Sequence, residues 1–295
     1  MRRKVQTPRF VAEVSSNHHS DLSRSLDFID VATELGCDAV KFQLFKIQNL
    51  FAVDILQRSS EHREREAWEL PPAFLPDLSR RARENGISLA CTPFYLEAVE
   101  DLYPFVDFYK VASYELLWID LLAACARTGK PLVLSTGMAT FDEIDRAVAD
   151  YRSEGGQELT LLHCVSGYPT PVHECNLAAI GTLASRYGCP VGWSDHSVSD
   201  AVIFRAVHHW GASMIEFHLD LDGHGEEYRT GHCWLPDQIQ PVIKAVRDSF
   251  SADGDGQKIP MPSEARDRGW RADPSDGLRP LESIRRRWRN TQCPQ

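Results

Sequence analysis

The chain has 295 residues, 43% of them hydrophobic, and a net charge of -10. This length suits one large domain or two small ones, and the acidic balance argues against general nucleic-acid binding. Eight cysteines, at positions 37, 91, 125, 164, 175, 189, 233 and 293, form no Cys-x-x-Cys pair and read as reduced thiols of a cytoplasmic protein. The start, Met1-Arg2-Arg3-Lys4, is basic but no apolar run follows it, so neither a signal peptide nor a membrane span is expected.

In chain order, Arg9 to Val14 reads as a strand. Leu22, Leu26, Ile29, Ala32 and Leu35 then share one helical face, closed by Gly36. A second strand runs from Cys37 to Gln43. Leu44 to Glu69 is long and charged and is expected to be an irregular loop insertion, a candidate lid. Pro71 and Pro72 open a helix to Asn85-Gly86, and Ile87 to Cys91 is a third strand ending in Thr92-Pro93-Phe94. The alternation continues: a helix at 96–102, a strand at 106–111, a helix at 121–126 and a strand at 131–134. Thr140 and Glu143 form a capping box for the next helix. A strand at 159–164, a helix at 177–187, a strand near Val191, a helix over 198–207, a strand through Glu216 and a helix over 235–250 complete the set. Eight strand-helix units predict an α/β fold, a (β/α)8 barrel over residues 1–250. Residues 251–295 are read as an irregular Arg/Trp-rich extension. In it, Trp270 to Pro274 and Gly277 to Pro280 are expected to form an ordered, packed turn against the barrel or a partner subunit.

Chemistry concentrates at the carboxyl ends of the predicted strands. Gly192-Trp193-Ser194-Asp195-His196 and Met214-Ile215-Glu216-Phe217-His218 are two strands that each finish on a histidine. Two imidazoles on the carboxyl rim of a barrel suit a divalent metal with open positions, although buried, hydrogen-bonded core histidines fit the same pattern. The wider strand-end set is Glu13, Lys41, Thr92, Lys110, Ser113, Glu115, Ser135, His163, Ser166, Ser194, His196 and His218. Two lysines with several hydroxyls make an anion site of phosphate size, and carboxylates remain for proton transfer.

Collinear stretches from residue 9 to 247 resemble the sialic acid (N-acetylneuraminate) synthase family, which condenses phosphoenolpyruvate with an N-acetylated hexosamine. They include Ala12-Glu13, Asp38 to Gln43, Thr92-Pro93-Phe94, Tyr109 to Ser113 with Glu115, Leu134 to Thr140, Leu162-His163-Cys164, Tyr168-Pro169-Thr170-Pro171, Ser194-Asp195-His196 and Ile215-Glu216 with His218. The resemblance implies that Lys41, Thr92, Lys110, Ser113, Ser166 and Ser194 hold the phosphate and carboxylate of phosphoenolpyruvate. His196 and His218 match the ligands of Mn²⁺ or Mg²⁺, Glu13 matches a catalytic carboxylate near the reacting carbons, and Glu115 and Tyr168 lie on the sugar side. A homodimer is implied, with Trp234, Trp270 and Trp288 as candidate interface anchors or core residues.

Three departures accompany the resemblance. After the last strand, Asp222 to Pro236 lacks the usual Gly-Pro-Asp-His stretch; His232 aligns with its histidine, and Glu226, Glu227 or Arg229 is a candidate for the missing aspartate's role. The chain is expected to lack the family's C-terminal antifreeze-like domain and the arginine it lends, with Arg271 or Arg279 as candidate substitutes. Ser15, Ser16 and Ser20 stand where glycines are usual. The competing readings are a lyase or phosphatase-like barrel enzyme and a non-catalytic relative that binds a phosphorylated or acidic small molecule. Binding of Mn²⁺ separates the last of these from an enzyme.

Overall fold

A computed structural model describes residues 7–290; the basic start and Cys293 lie outside the described residues. The strands are β1 (Arg9–Glu13), β2 (Ala39–Leu44), β3 (Ser88–Pro93), β4 (Phe108–Val111), β5 (Leu132–Ser135), β6 (Leu159–Cys164), β7 (Val191–Asp195) and β8 (Met214–Leu219). Each is parallel to the next, and β8 returns to β1 in register from Arg9 opposite Met214 to Glu13 opposite His218. The barrel is therefore closed, as the eightfold alternation predicts. A two-residue strand not foreseen from sequence, β9 (Cys233–Trp234), adds to β8.

The helices between strands follow the apolar spacing. The first, Leu22–Glu34, is capped by the Asp21 side chain, which accepts the Arg24 N–H, and it buries Phe28, Ile29 and Ala32. The helix Phe141–Ser153 carries the expected reciprocal cap between Thr140 and Glu143. These faces pack on the outward residues of the strands in one continuous core.

A second, smaller apolar cluster holds Val11, Ala39, Ala90, Phe108, Val133, Leu162 and Met214, one residue from each strand except β7. It forms the inward layer of the barrel. The β7 place in this layer belongs to Gly192, where a Cβ would lie 2.4 Å from the Met214 carbonyl oxygen and 2.7 Å from the Leu162 side chain. Side chains alternate along a strand, so two residues further on the chain again faces inward. Those positions are Glu13, Lys41, Thr92, Lys110, Ser135, Cys164, Ser194 and Glu216. One apolar layer thus carries a polar layer on its carboxyl side.

The segment after β2 departs from the expected irregular loop. It folds into short helices, Ile47–Leu50, Val53–Arg58 and Ser60–Glu64, and a 3-10 turn, Arg65–Trp68. Each is too short for helical periodicity to register in the sequence. Trp234 is a core residue, 4% exposed, and its indole N–H donates to Asp195 Oδ2 at 3.0 Å. No helix among the described residues is long and apolar enough to cross a membrane, and the seven described cysteines are free thiols.

The chain divides after Phe250 into two compact units. Within the second, Asp273 accepts the backbone N–H of Ser275 at 3.0 Å and of Glu282 at 2.7 Å. Arg285 pairs with Asp276 at 2.6 Å, and Trp270 meets Trp288 edge-on at 5.9 Å.

Candidate active site

The polar layer opens into a cavity of about 640 Å³ lined by Glu13, Lys41, Lys110, Ser113, Glu115, Tyr168, Ser194, His196 and His218. Most of the residues singled out in the sequence therefore converge. Thr92 is fully buried and reaches the cavity through Lys41, whose Nζ donates to Thr92 Oγ1 at 3.3 Å. Ser166 stands beside the lining residue Ser113, both against Gly137. His163 does not join the set. It lies between the inward residues Leu162 and Cys164, so its ring points outward, against Trp193 at 5.3 Å and the Cys175 carbonyl at 3.0 Å.

At the floor, four buried charges alternate. Lys41 pairs directly with Glu13 and lies 3.8 Å from Glu216; Lys110 lies 3.3 Å from Glu216. Ser194 Oγ donates to Glu216 at 3.0 Å, and Gln43 Nε2 donates to Glu13 at 2.6 Å. Burial opposes ionisation of Glu216, but Lys110 and Lys41 outweigh it and hold the carboxyl at about 2. Burial likewise disfavours the Lys41 ammonium, and Glu13 and Glu216 reverse the effect and raise it. Lys41 is thus held charged by two buried carboxylates, with further protons to donate. In the sequence Glu216 carries no role beyond its motif; the alternation Met214, Glu216, His218 is the signal that places it inward.

Beside Lys110 lies a hydroxyl cradle. The Ser135 and Ser166 hydroxyls are buried with no hydrogen-bond partner in the protein. Gly137 donates its N–H to Ser113 Oγ at 3.0 Å, and that hydroxyl lies 3.1 Å from Cys164 Sγ. A Cβ at Gly137 would sit 2.4 Å from Ser166 Oγ and 2.8 Å from Ser113 Oγ, so glycine keeps this space open. Buried donors without acceptors are costly, which marks them as partners for an incoming oxyanion.

Three imidazoles line the opposite part of the set. His218 is 5.3 Å from His196 and 4.6 Å from His232, ring to ring, and Tyr168 packs at a tilt on His196 at 4.3 Å. His196 Nδ1 bonds the Val165 carbonyl at 2.8 Å, and His218 Nδ1 bonds Glu227 at 2.8 Å. His196 therefore has Nε2 left over, oriented by an outer partner as metal-binding imidazoles are, while His218 also bonds the Cys233 side chain. Burial and the neighbouring His218 push His196 down to about 3, which keeps it neutral. Burial also opposes charge on His218, but Glu227 outweighs it and raises that ring to about 10, so a bound cation would take the place of its proton. His218, Glu227, His232 and Cys233 offer ligand atoms that all lie within 4.8 Å of one another. The donor set suits a divalent cation.

Loop contacts aim these groups. Asn17 Oδ1 accepts the Glu227 N–H at 3.0 Å, and Ser15 Oγ donates to the Glu227 carboxylate while accepting from Gln43 at 3.0 Å. Ser15 sits at φ 48°, a left-handed conformation that favours glycine. Its hydroxyl bridging Gln43 to Glu227 explains a serine there. On another wall, burial pushes Glu115 up to about 7 against the pull of Lys110, and its Oε2 has no hydrogen-bond partner.

The fold and site have known counterparts. Residues 28–258 match the NeuB family. An uncharacterized protein of Methanocaldococcus jannaschii is 36% identical, covering 87% of this chain and 75% of its own. The N,N'-diacetyllegionaminic acid synthase of Campylobacter jejuni is 31% identical over 87% of this chain and 80% of the other. A crystal structure of N-acetylneuraminic acid (sialic acid) synthetase from Leptospira borgpetersenii, in complex with citrate, superposes with a TM-score of 0.76 at 30% identity. It covers 89% of this chain and 90% of that one. The chain belongs to the NeuB family, with sialic, pseudaminic and legionaminic acid synthases among its relatives.

Proposed function

We propose that this protein condenses phosphoenolpyruvate with an aldose, of the N-acetylmannosamine kind, to give a sialic-acid-like 3-deoxy-2-keto sugar acid and phosphate. The observation that carries the reading is one cavity that joins a two-lysine floor, a hydroxyl cradle with unpartnered Ser135 and Ser166, and an imidazole cluster.

In this reading Lys41, Lys110, Ser113, Ser135, Ser166 and Ser194 hold the phosphate and carboxylate of phosphoenolpyruvate, and Thr92 positions Lys41. His196 and His218 hold Mn²⁺ or Mg²⁺, which supplies Lewis-acid polarisation of the aldehyde. Tyr168 packs on His196 and fixes its ring. Bond formation joins C3 of phosphoenolpyruvate to the aldehyde carbon, leaving C2 electron-poor; water adds there, and Glu13 accepts its proton. The C2–O bond to phosphate then breaks, and the lysines stabilise the departing anion. Glu115 faces the sugar, where a carboxyl near neutrality serves as donor or acceptor to a hydroxyl. We take the protein to act in the cytoplasm as a homodimer, which sedimentation tests.

The experiment is phosphate release from phosphoenolpyruvate with Mn²⁺ across aldoses with and without N-acyl groups, repeated with chelator and with His196→Ala. Release that requires one aldose, the cation and His196 supports the reading. Release that ignores the aldose, or survives loss of His196, contradicts it.

A further inference from the structure

We propose that Arg65, on the helical insertion after β2, binds the acceptor aldose by an oxygen-bearing substituent and so sets acceptor specificity. The inference rests on the condensation reading above.

The sequence gives Arg65 no periodic signal. The structure puts it at the start of the 3-10 turn Arg65–Trp68 and into the wall of the cavity that holds Glu13 and Lys110. Its guanidinium carbon lies 5.3 Å from the Trp68 ring and 5.8 Å from the Phe51 ring. Two aromatic faces fix the plane of the fork. Its Nε is buried and has no hydrogen-bond partner. Its Nη2 makes only a solvent-exposed ion pair, 3.6 Å from Glu61 Oε1 and beyond hydrogen-bond reach, with side-chain exposures of 36% for Arg65 and 78% for Glu61.

The other cations of the cavity differ. Lys41 is held by Glu13 and Lys110 by Glu216, all four on barrel strands. Arg65 comes instead from a loop, so it addresses a different part of a bound ligand than the lysines do. A pre-oriented fork with an unsatisfied donor calls for an oxygen acceptor: an acyl carbonyl, a carboxylate or a phosphate. Phosphoenolpyruvate is already provided for at the floor, which leaves the acceptor.

The test is steady-state kinetics of Arg65→Ala and Arg65→Lys, with circular dichroism to confirm folding. Each is run with an N-acyl aldose and with its terminal phosphate ester. Arg65→Ala is expected to raise the acceptor KM by about tenfold or more. It is expected to leave the phosphoenolpyruvate KM within about twofold. Arg65→Lys, which keeps charge but not the fork, recovers only part of the loss. A larger loss for the phosphorylated acceptor identifies phosphate as the group held; an equal loss identifies the acyl carbonyl. An unchanged acceptor KM in Arg65→Ala, or a parallel rise in the phosphoenolpyruvate KM, overturns the inference while leaving the condensation intact. If the wild-type protein condenses no aldose, both readings fall together.

Discussion

The inside of the barrel holds two layers that differ by a step of two residues. Val11, Ala39, Phe108, Val133, Leu162 and Met214 are apolar and close the barrel; Glu13, Lys41, Lys110, Ser135, Cys164 and Glu216, two residues on, carry charge and hydrogen-bonding groups. The same backbone geometry presents both. The lower layer gains from leaving water, while the upper layer pairs its charges and leaves the Ser135 hydroxyl without a partner. Both layers should therefore carry stability, and only the upper one activity.

The sharpest way to break that comparison is one substitution in each layer. Lys41→Met leaves Glu13 and Glu216 short of a buried cation. Activity should fall on the order of 10³-fold, and unfolding by denaturant should show a loss of about 3–5 kcal/mol. Leu162→Ala should cost about 2–5 kcal/mol through the cavity it leaves, with kcat little changed in the folded protein. Equal kinetic damage from the two would erase the distinction.

Two glycines sharpen it. Gly192→Ala drives a Cβ into the Met214 carbonyl, whereas Gly137→Ala drives one into the Ser166 and Ser113 hydroxyls. The first should lower Tm with little change in phosphoenolpyruvate KM. The second should raise that KM about tenfold or more with a smaller change in Tm. The reverse pattern would place the substrate elsewhere.

Glu115 gives a pH-dependent version. Burial raises its carboxyl to about 7 from an ordinary 4.5. Below 4.5 both folded and unfolded forms are protonated and nothing is gained or lost. Between 4.5 and 7 the unfolded chain ionises first, so the native state loses stability as pH rises, and the loss is complete above about 7. Glu115→Gln should therefore gain Tm over wild type at pH 8, and the gain should vanish near pH 4. A gain independent of pH would mean that Glu115 is not held protonated by burial. At the small end, Thr140→Ala removes the cap of the helix Phe141–Ser153 and should cost about 1 kcal/mol with no kinetic effect.

The alternation of layers also explains what could be read in advance. Glu13, Lys41, Lys110 and Ser194 lie on strands whose ends were visible, and inward positions recur at a period of two. His163 sits at a strand end but at the wrong parity, so nearness to a strand end does not by itself place a side chain in the cavity. Glu216 had the right parity but stood between two larger signals, Ile215 and His218. Glu227, in the sequence one of three candidates with Glu226 and Arg229, and Arg65, at the start of a 3-10 turn, lie on connections between strands, where no long period exists. Their places depend on contacts distant in sequence, such as Asn17 to Glu227. The helices between Ile47 and Trp68 leave no signal in the sequence because four to six residues span too few turns to show an apolar face.

The claim at the centre is that the polar layer binds phosphoenolpyruvate. Calorimetric titration of phosphoenolpyruvate, without acceptor, into wild-type protein and Lys110→Met tests it most directly. Wild-type protein should bind, and Lys110→Met, still folded, should bind about 100-fold more weakly. Equal affinity in the two proteins, or no binding to wild type, would contradict the account.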